Sequence, residues 1–329
     1  MSDSLPPLFI QKLTNLYPHL TDDDINHIFA PKSLRCFRIN ILKTKKSTIL
    51  ETLKKENLEV INVDFLDAFF VKKNDEKKLS PLIEKGDIIA QSLSSQLPAI
   101  LLQPSPTDLI LDLCAAPGSK TSQIVSLTHS PKNIIANDID LVRTYKMKSI
   151  FANLSIDHVT IAKSDGRSIW KQFPNHFDKV LVDVPCSMEG RFVGGDEKTF
   201  SHWSPKKVKN LSKLQKFLLY SAFSACKPGG RIVYSTCTLS TEENEEVVAW
   251  LLEKLTGKIE LIDIDSIKYA TNDFLSKYQS AQISTSIVND GITNSYHNTK
   301  INSELKNCLR ILPSPLTEGF FVAVFEKRA

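Results

Sequence analysis

Between residues 109 and 234 the chain repeats one unit. Each unit is a short apolar run, then a turn, then a stretch with helical spacing. Leu109–Leu113 reads as a buried strand, followed by a Pro-Gly turn and a helix from Lys120. Asn133–Asn137 reads as a second strand, with a helix over Leu141–Asn153. His158–Ala162, Lys179–Val182 and Arg231–Tyr234 read as the third, fourth and fifth strands. Apolar strands alternating with helices bury both faces of a sheet, which demands parallel strands with helices on each side. The expected fold class is therefore α/β, with a doubly wound, mostly parallel sheet.

Upstream, residues 8–30 carry helical spacing, and Thr21-Asp22-Asp23-Asp24 resembles a helix start. Ser33–Leu42 alternates like a strand, Ser47–Asn57 suits a helix, and Leu58–Val71 reads as extended. These form a small α/β module. A helix over Ser92–Leu102 then leads to Pro104-Ser105-Pro106. Residues 266–308 are rich in Ser, Thr and Asn and read as an insertion, before closing strands at Leu309–Leu312 and Phe320–Glu326. At roughly 150 residues per domain, the expected division is 1–85, helical plus small α/β module, and 86–329.

The net charge of +4 over 329 residues conceals two basic windows. Ile25–Leu50 holds Lys32, Arg35, Arg38, Lys43, Lys45 and Lys46 with no acid. Lys198–Thr241 holds eight basic residues, again with no acid. Paired basic stretches point to a polyanionic partner. No 18-residue apolar run exists, so no membrane span is expected. The start lacks signal-peptide character, so a cytoplasmic location is expected. The six cysteines have no Cys-x-x-Cys spacing, so neither zinc nor another metal is expected.

The first turn is Asp112-Leu113-Cys114-Ala115-Ala116-Pro117-Gly118-Ser119-Lys120-Thr121. Small residues after a strand let backbone amides approach a nucleotide-like ligand. A phosphate-binding P-loop needs glycines where Cys114 and Ser119 stand, so ATP hydrolysis is disfavoured. Asp138 closes the second strand, where a carboxylate can accept two ribose hydroxyls. Cys186 follows the fourth strand in Asp183-Val184-Pro185-Cys186, and Cys237 follows the fifth in Ser235-Thr236-Cys237. If those strands are neighbours, both thiols face one crevice. In the helix between them, Ser204 is a good N-cap and Pro205 suits the first position. At about 100° per residue, Leu211, Leu214, Leu218 and Ala222 share one side, and Lys206, Lys209, Lys213 and Lys216 the other. That lysine face is either ordinary solvated surface or a contact for RNA backbone.

Five ordered segments resemble the Sun-domain family of RNA (cytosine-5)-methyltransferases, which includes RsmF-like and RsmB-like rRNA enzymes and tRNA enzymes. They are Leu-Asp-Leu-Cys-Ala-Ala-Pro-Gly-Ser-Lys-Thr from Leu111, Ala-Asn-Asp from Ala136, Ser-Asp-Gly-Arg from Ser164, Val-Asp-Val-Pro-Cys-Ser from Val182, and Val-Tyr-Ser-Thr-Cys-Thr-Leu from Val233. Phe37-Arg38-Ile39-Asn40 and Gly319-Phe320-Phe321-Val322-Ala323 extend the resemblance to both sides. It implies a Rossmann-like methyltransferase sheet and S-adenosyl-L-methionine as donor. Cys114, Ala115, Ala116, Pro117, Gly118, Ser119 and Lys120 would hold its methionine part. Asp138 and Arg143 would serve the ribose, Asp165 the adenine, and Asp183 both cofactor and target base. Cys237 would add to carbon 6 of cytosine, making carbon 5 nucleophilic, and Cys186 would assist product release. Arg38, Asn40 and the four lysines would contact RNA, with rRNA favoured over tRNA and the protein a monomer. A non-catalytic RNA-binding or ribosome-assembly role is the alternative. The sequence departs from the family at Val184, commonly Ala, and Met188, commonly Gly.

Overall fold

The computed structural model describes residues 5–264, 288–290 and 303–329. Most of the insertion expected at 266–308 lies outside the described residues. Two helices come first, α1 (Pro7–Leu16) and α2 (Asp22–Ile28). Thr21 caps α2 through a reciprocal capping box with Asp24, as its sequence suggests. The small sheet follows. Its strands are β1 (Leu34–Ile39), β2 (Val60–Val63), β3 (Ala68–Lys72) and β4 (Ile88–Ala90), with α3 (Lys46–Lys55) and α4 (Ser80–Glu84) between them. They pair antiparallel in the order β2-β3-β1-β4. The fourth strand lies past residue 85, so the small sheet crosses the division expected there. Phe37, Ile49, Leu53, Phe69 and Leu79 fill its core.

After α5 (Leu97–Leu101) comes the large sheet. Its parallel part comprises β5 (Ile110–Asp112), β6 (Ile134–Asn137), β7 (Thr160–Ala162), β8 (Phe177–Asp183) and β9 (Cys226–Thr236). The helices between them are α6 (Ser119–Thr128), α7 (Leu141–Asn153) and α8 (Pro205–Ala225). Beyond β9 lie α9 (Glu245–Lys254), β10 (Ile259–Leu261), β11 (Val288–Asp290), β12 (Leu309–Ile311) and β13 (Phe320–Lys327). Among the described residues the order is β11-β12-β13-β9-β8-β5-β6-β7, with β10 also on β13. The last four strands are antiparallel to their neighbours. Residues of α5, α6 and α7 pack one face, and residues of α8 and α9 the other. The sheet is doubly wound, and it reverses direction at β5 and β8. Such a switch point leaves a crevice at the carboxyl ends of the strands.

Two expectations are corrected. In α8 the deepest stripe is Val208, Ser212, Gln215, Leu219 and Ala222, while Leu211 and Leu214 are only half-buried. Polar Ser212 and Gln215 are buried because they have partners. Ser212 Oγ donates to the Glu242 carbonyl, and Gln215 Nε2 donates to Glu243 Oε2 at 2.7 Å. Arg38 and Asn40 do not face RNA; they are 4% and 1% exposed. Arg38 Nε donates to Gln91 Oε1 at 2.7 Å, and Nη2 donates to Ser122 Oγ at 2.6 Å on α6. Asn40 Nδ2 donates to the carbonyls of Gly86 and Leu154 at 2.9 and 3.0 Å. Both residues clasp the small sheet to the large one. A planar guanidinium with several fixed acceptors is a structural tie, even though burial draws Arg38 down to about 10.

Arg38→Ala leaves those buried acceptors unpaired, and about 3 kcal/mol of unfolding free energy should be lost. Urea denaturation of the purified variant measures it; a loss below roughly 1 kcal/mol would show that the clasp contributes little.

Candidate active site

The carboxyl ends of β5, β8 and β9 open into a cleft of about 1120 Å³. Leu34, Cys36, Phe70 and Ile89 of the small sheet cover it. The turn from Cys114 to Lys120 lines it, Gly118 excepted, as do Arg143, Asp183, Cys186 and Cys237. Asp138 and Asp165 are not among its lining residues. Asp138 is buried behind Arg143, whose Nη1 lies 3.1 Å from Asp138 Oδ2 and whose Nη2 donates to the Ala116 carbonyl. Asp165 is held at the surface by Arg167, whose Nε donates to both of its oxygens at 3.0 Å. Lys206, Lys209 and Lys213 stand exposed on α8, and Lys216 is half-buried; none lines the cleft.

The first turn is shaped by one glycine. Gly118 sits at φ +104°, and a Cβ there would lie 2.6 Å from Phe151 Cε1. A side chain would push α7 away and lift the turn that starts α6. Lys120 then reaches across the cleft floor. Its Nζ donates to Asp183 Oδ2 at 2.7 Å and to Ser95 Oγ at 2.8 Å. The other Asp183 oxygen accepts from Ser235 Oγ at 2.8 Å. Asp112, wholly buried beside them, accepts from Thr121 Oγ1 at 2.7 Å through Oδ2, while Oδ1 has no donor. Burial pushes Asp112 up to about 7.

β8 and β9 are parallel neighbours, with Asp183 opposite Ser235. The segments leaving them bring Cys186 Sγ and Cys237 Sγ to 3.2 Å, and both thiols are free. The Cys237 amide donates to Cys186 Sγ at 3.3 Å. The pair is asymmetric. A hydrogen bond from Cys186 and the charge of Arg191 draw the Cys237 thiol below its ordinary value. The same hydrogen bond, together with burial, pushes Cys186 well above it. A lowered thiol is the better-populated thiolate, and the thiolate is the nucleophile.

Two buried carboxylates hold these segments. Glu189 accepts from Trp203 Nε1 at 2.8 Å, Ser240 Oγ at 2.6 Å, Thr238 Oγ1 at 3.0 Å and the Leu239 amide at 3.2 Å. Glu243 accepts from the Ser187 amide at 3.0 Å as well as from Gln215, while its Oε1 has no donor. Sequence reasoning missed both, along with Arg191 and Glu318. The signal available was acidic residues set within three to six residues of each cysteine.

A model of the family described as 16S rRNA methyltransferase RsmB/F matches residues 99–326. The chain belongs to this family of RNA cytosine-5 methyltransferases. S-adenosyl-L-methionine is its methyl donor, and the small-residue turn with its left-handed glycine fits that ligand. The chain is 34% identical over 325 residues to a tRNA (cytosine(49)-C(5))-methyltransferase of Pyrococcus abyssi, covering 96% of each. It is 34% identical to ribosomal RNA small subunit methyltransferase F of Shewanella amazonensis, over 72% of this chain and 52% of that one. The chain thus spans about half the length of that relative. A solved methyltransferase homologue from Pyrococcus horikoshii superposes with a TM-score of 0.72 at 27% identity, covering 98% of this chain and all of that one. No described helix is long and apolar enough to cross a membrane.

Burial raises Glu243 to about 7, so the folded chain holds this proton more tightly than the unfolded chain does. Its contribution to stability is full below about pH 4.3 and is lost as pH rises through about 7. Glu243→Gln removes this group from the titration, so Tm should fall less steeply between pH 5 and 8, by scanning calorimetry. An unchanged slope would mean that Glu243 ionises normally.

Proposed function

We propose that this chain methylates carbon 5 of cytosine in RNA through a covalent adduct on Cys237. The observation that carries this reading is the asymmetric thiol pair in a cleft beside Asp183. The Cys237 thiolate adds to carbon 6 of the ring, forming a carbon–sulfur bond and leaving carbon 5 enamine-like. Asp183, fixed by Lys120 and Ser235, is placed to hydrogen-bond the ring edge and steady the adduct. Bound S-adenosyl-L-methionine supplies the electrophilic methyl that carbon 5 accepts. Loss of the carbon 5 proton to a base and elimination across carbons 5 and 6 break the carbon–sulfur bond and return the thiolate. Cys186, in contact with Cys237, assists that release. The residues proposed to hold the donor are the turn 114–120, Asp138 with Arg143, Asp165 and Asp183. For Asp138 to receive ribose hydroxyls, Arg143 must swing aside.

The target base must leave any helical stack to reach the covered cleft. Of the two RNA classes, the coverage supports tRNA over the rRNA favoured on sequence grounds. The relative matched over nearly its whole length carries a tRNA name, whereas the rRNA relative is matched over half. The exposed lysines Lys206, Lys209 and Lys213 at the start of α8 are proposed to meet RNA phosphates.

Cys237→Ala should abolish methyl transfer, and Cys186→Ala should accumulate a protein–RNA adduct stable to denaturing electrophoresis. An adduct that accumulates with Cys237→Ala instead would reverse the two roles. Replacing Lys209 or Lys213 alone should flatten the slope of log K against log salt by about 0.7 for single-stranded RNA. Binding titrations at several salt concentrations read this, and an unchanged slope would assign the lysines to solvent.

A further inference from the structure

The reaction steps above do not use Arg191, which lines the same cleft as both thiols. It closes a short 3-10 turn, Glu189–Arg191, directly after the Cys186 segment. That turn is fixed from three sides. The Gly190 amide donates to the Cys237 carbonyl at 3.0 Å, and the Gly319 amide donates to the Gly190 carbonyl at 2.9 Å. A Cβ on Gly190 would stand 2.2 Å from the Gly319 carbonyl oxygen, so the two backbones meet directly. Glu189 is held by its four donors. The backbone from which Arg191 departs is therefore fixed, and Arg191 Nε lies 3.0 Å from Glu318 Oε2. The same Glu318 oxygen accepts from Ser92 Oγ at 3.1 Å.

We propose that Arg191 is the positive charge that holds the Cys237 sulfur ionised, and that Glu318 keeps the guanidinium at this post. The proposal rests on the reading of Cys237 as nucleophile. Cys186 Sγ lies 3.2 Å from the sulfur, and the charged groups sharing its end of the cleft are Asp183 at the end of β8, Arg191 from the turn, and Glu318 from the segment before β13. Asp183 and Glu318 oppose ionisation; Arg191 favours it. Of the other cations lining the cleft, Arg35 lies 3.6 Å from Glu76 and Lys73 is exposed beyond β3, both on the small-sheet side. Lys120 is bound by Asp183 and Ser95, Arg143 pairs with Asp138, and Lys32 donates to the carbonyls of Ser314 and Thr317. Glu318 has two opposing effects on the sulfur: it repels a thiolate directly, and it anchors the charge that attracts one.

The test is alkylation of Cys237 by iodoacetamide across pH, resolved by peptide mass spectrometry on the full chain. Arg191→Met should raise the alkylation midpoint by about one pH unit. Methyl transfer should then fall roughly tenfold at pH 7 and recover by pH 9. Arg191→Lys should restore most of the shift, which a loss of packing would not explain. Glu318→Gln should also move the midpoint upward, because anchoring outweighs repulsion. An unchanged midpoint in folded Arg191→Met overturns the role of Arg191. If that variant does not fold, an unchanged or downward midpoint in Glu318→Gln overturns the arrangement instead. An RNA adduct mapped to Cys186 rather than Cys237 would sink the nucleophile reading, while leaving the alkylation shift to be judged separately.

Discussion

The parallel register of β8 and β9 is the constraint on which the site depends. Asp183, the last residue of β8, lies opposite Ser235, one residue before the end of β9. The chain leaving them places a cysteine three residues on in one case and two in the other. That offset brings the sulfurs into contact and ties the Cys237 amide to the other sulfur. A one-residue slip would turn one thiol to the opposite face of the sheet. The wide helical crossover of α8 is compatible with this register because parallel neighbours need a long return.

Around the register, the structure places charge where apolar packing alone would be more stable. Asp112, Glu189, Glu243 and Glu245 are all buried near the carboxyl edge. The three glutamates each do something that a hydrophobic residue cannot. Glu189 gathers four donors from two segments, Glu243 fixes the amide after Cys186, and Glu245 binds Arg310 through both of its oxygens. Arg310 also donates to the Leu239 carbonyl at 2.9 Å and to Tyr17 Oη at 3.4 Å. Buried ionic groups are a poor source of stability, but they specify one geometry for loops that would otherwise have several. Here they define the loops that carry the thiols.

The doubly wound sheet was legible in the sequence because buried parallel strands leave continuous apolar runs, such as Leu109–Leu113 and Lys179–Val182. The two thiol segments were legible for the same reason, since each follows such a run. Arg38 and Asn40 were misread. A basic window reports charge, but not the acceptors that folding brings from α6 or from Leu154. The ion pair of Lys120 with Asp183 spans 63 residues and has no local trace in the sequence. On α8 the expected side includes the buried Leu218 and Ala222, but Ser212 and Gln215 look like surface residues until their partners near Glu242 are known. The small sheet's last strand, only three residues long, left too short a pattern to show that it belonged upstream.

The position of β13 makes the thiol turn a meeting point of distant segments. This strand inserts beside β9, and the segment entering it supplies Gly319 and Glu318 to the thiol turn. At the other side, Phe9 of α1 stacks edge-on against Phe192 and Trp203 in the segment that follows that turn. The thiol turn is therefore braced by segments from opposite ends of the described chain, so a change near either end can reach the sulfur without touching the parallel sheet.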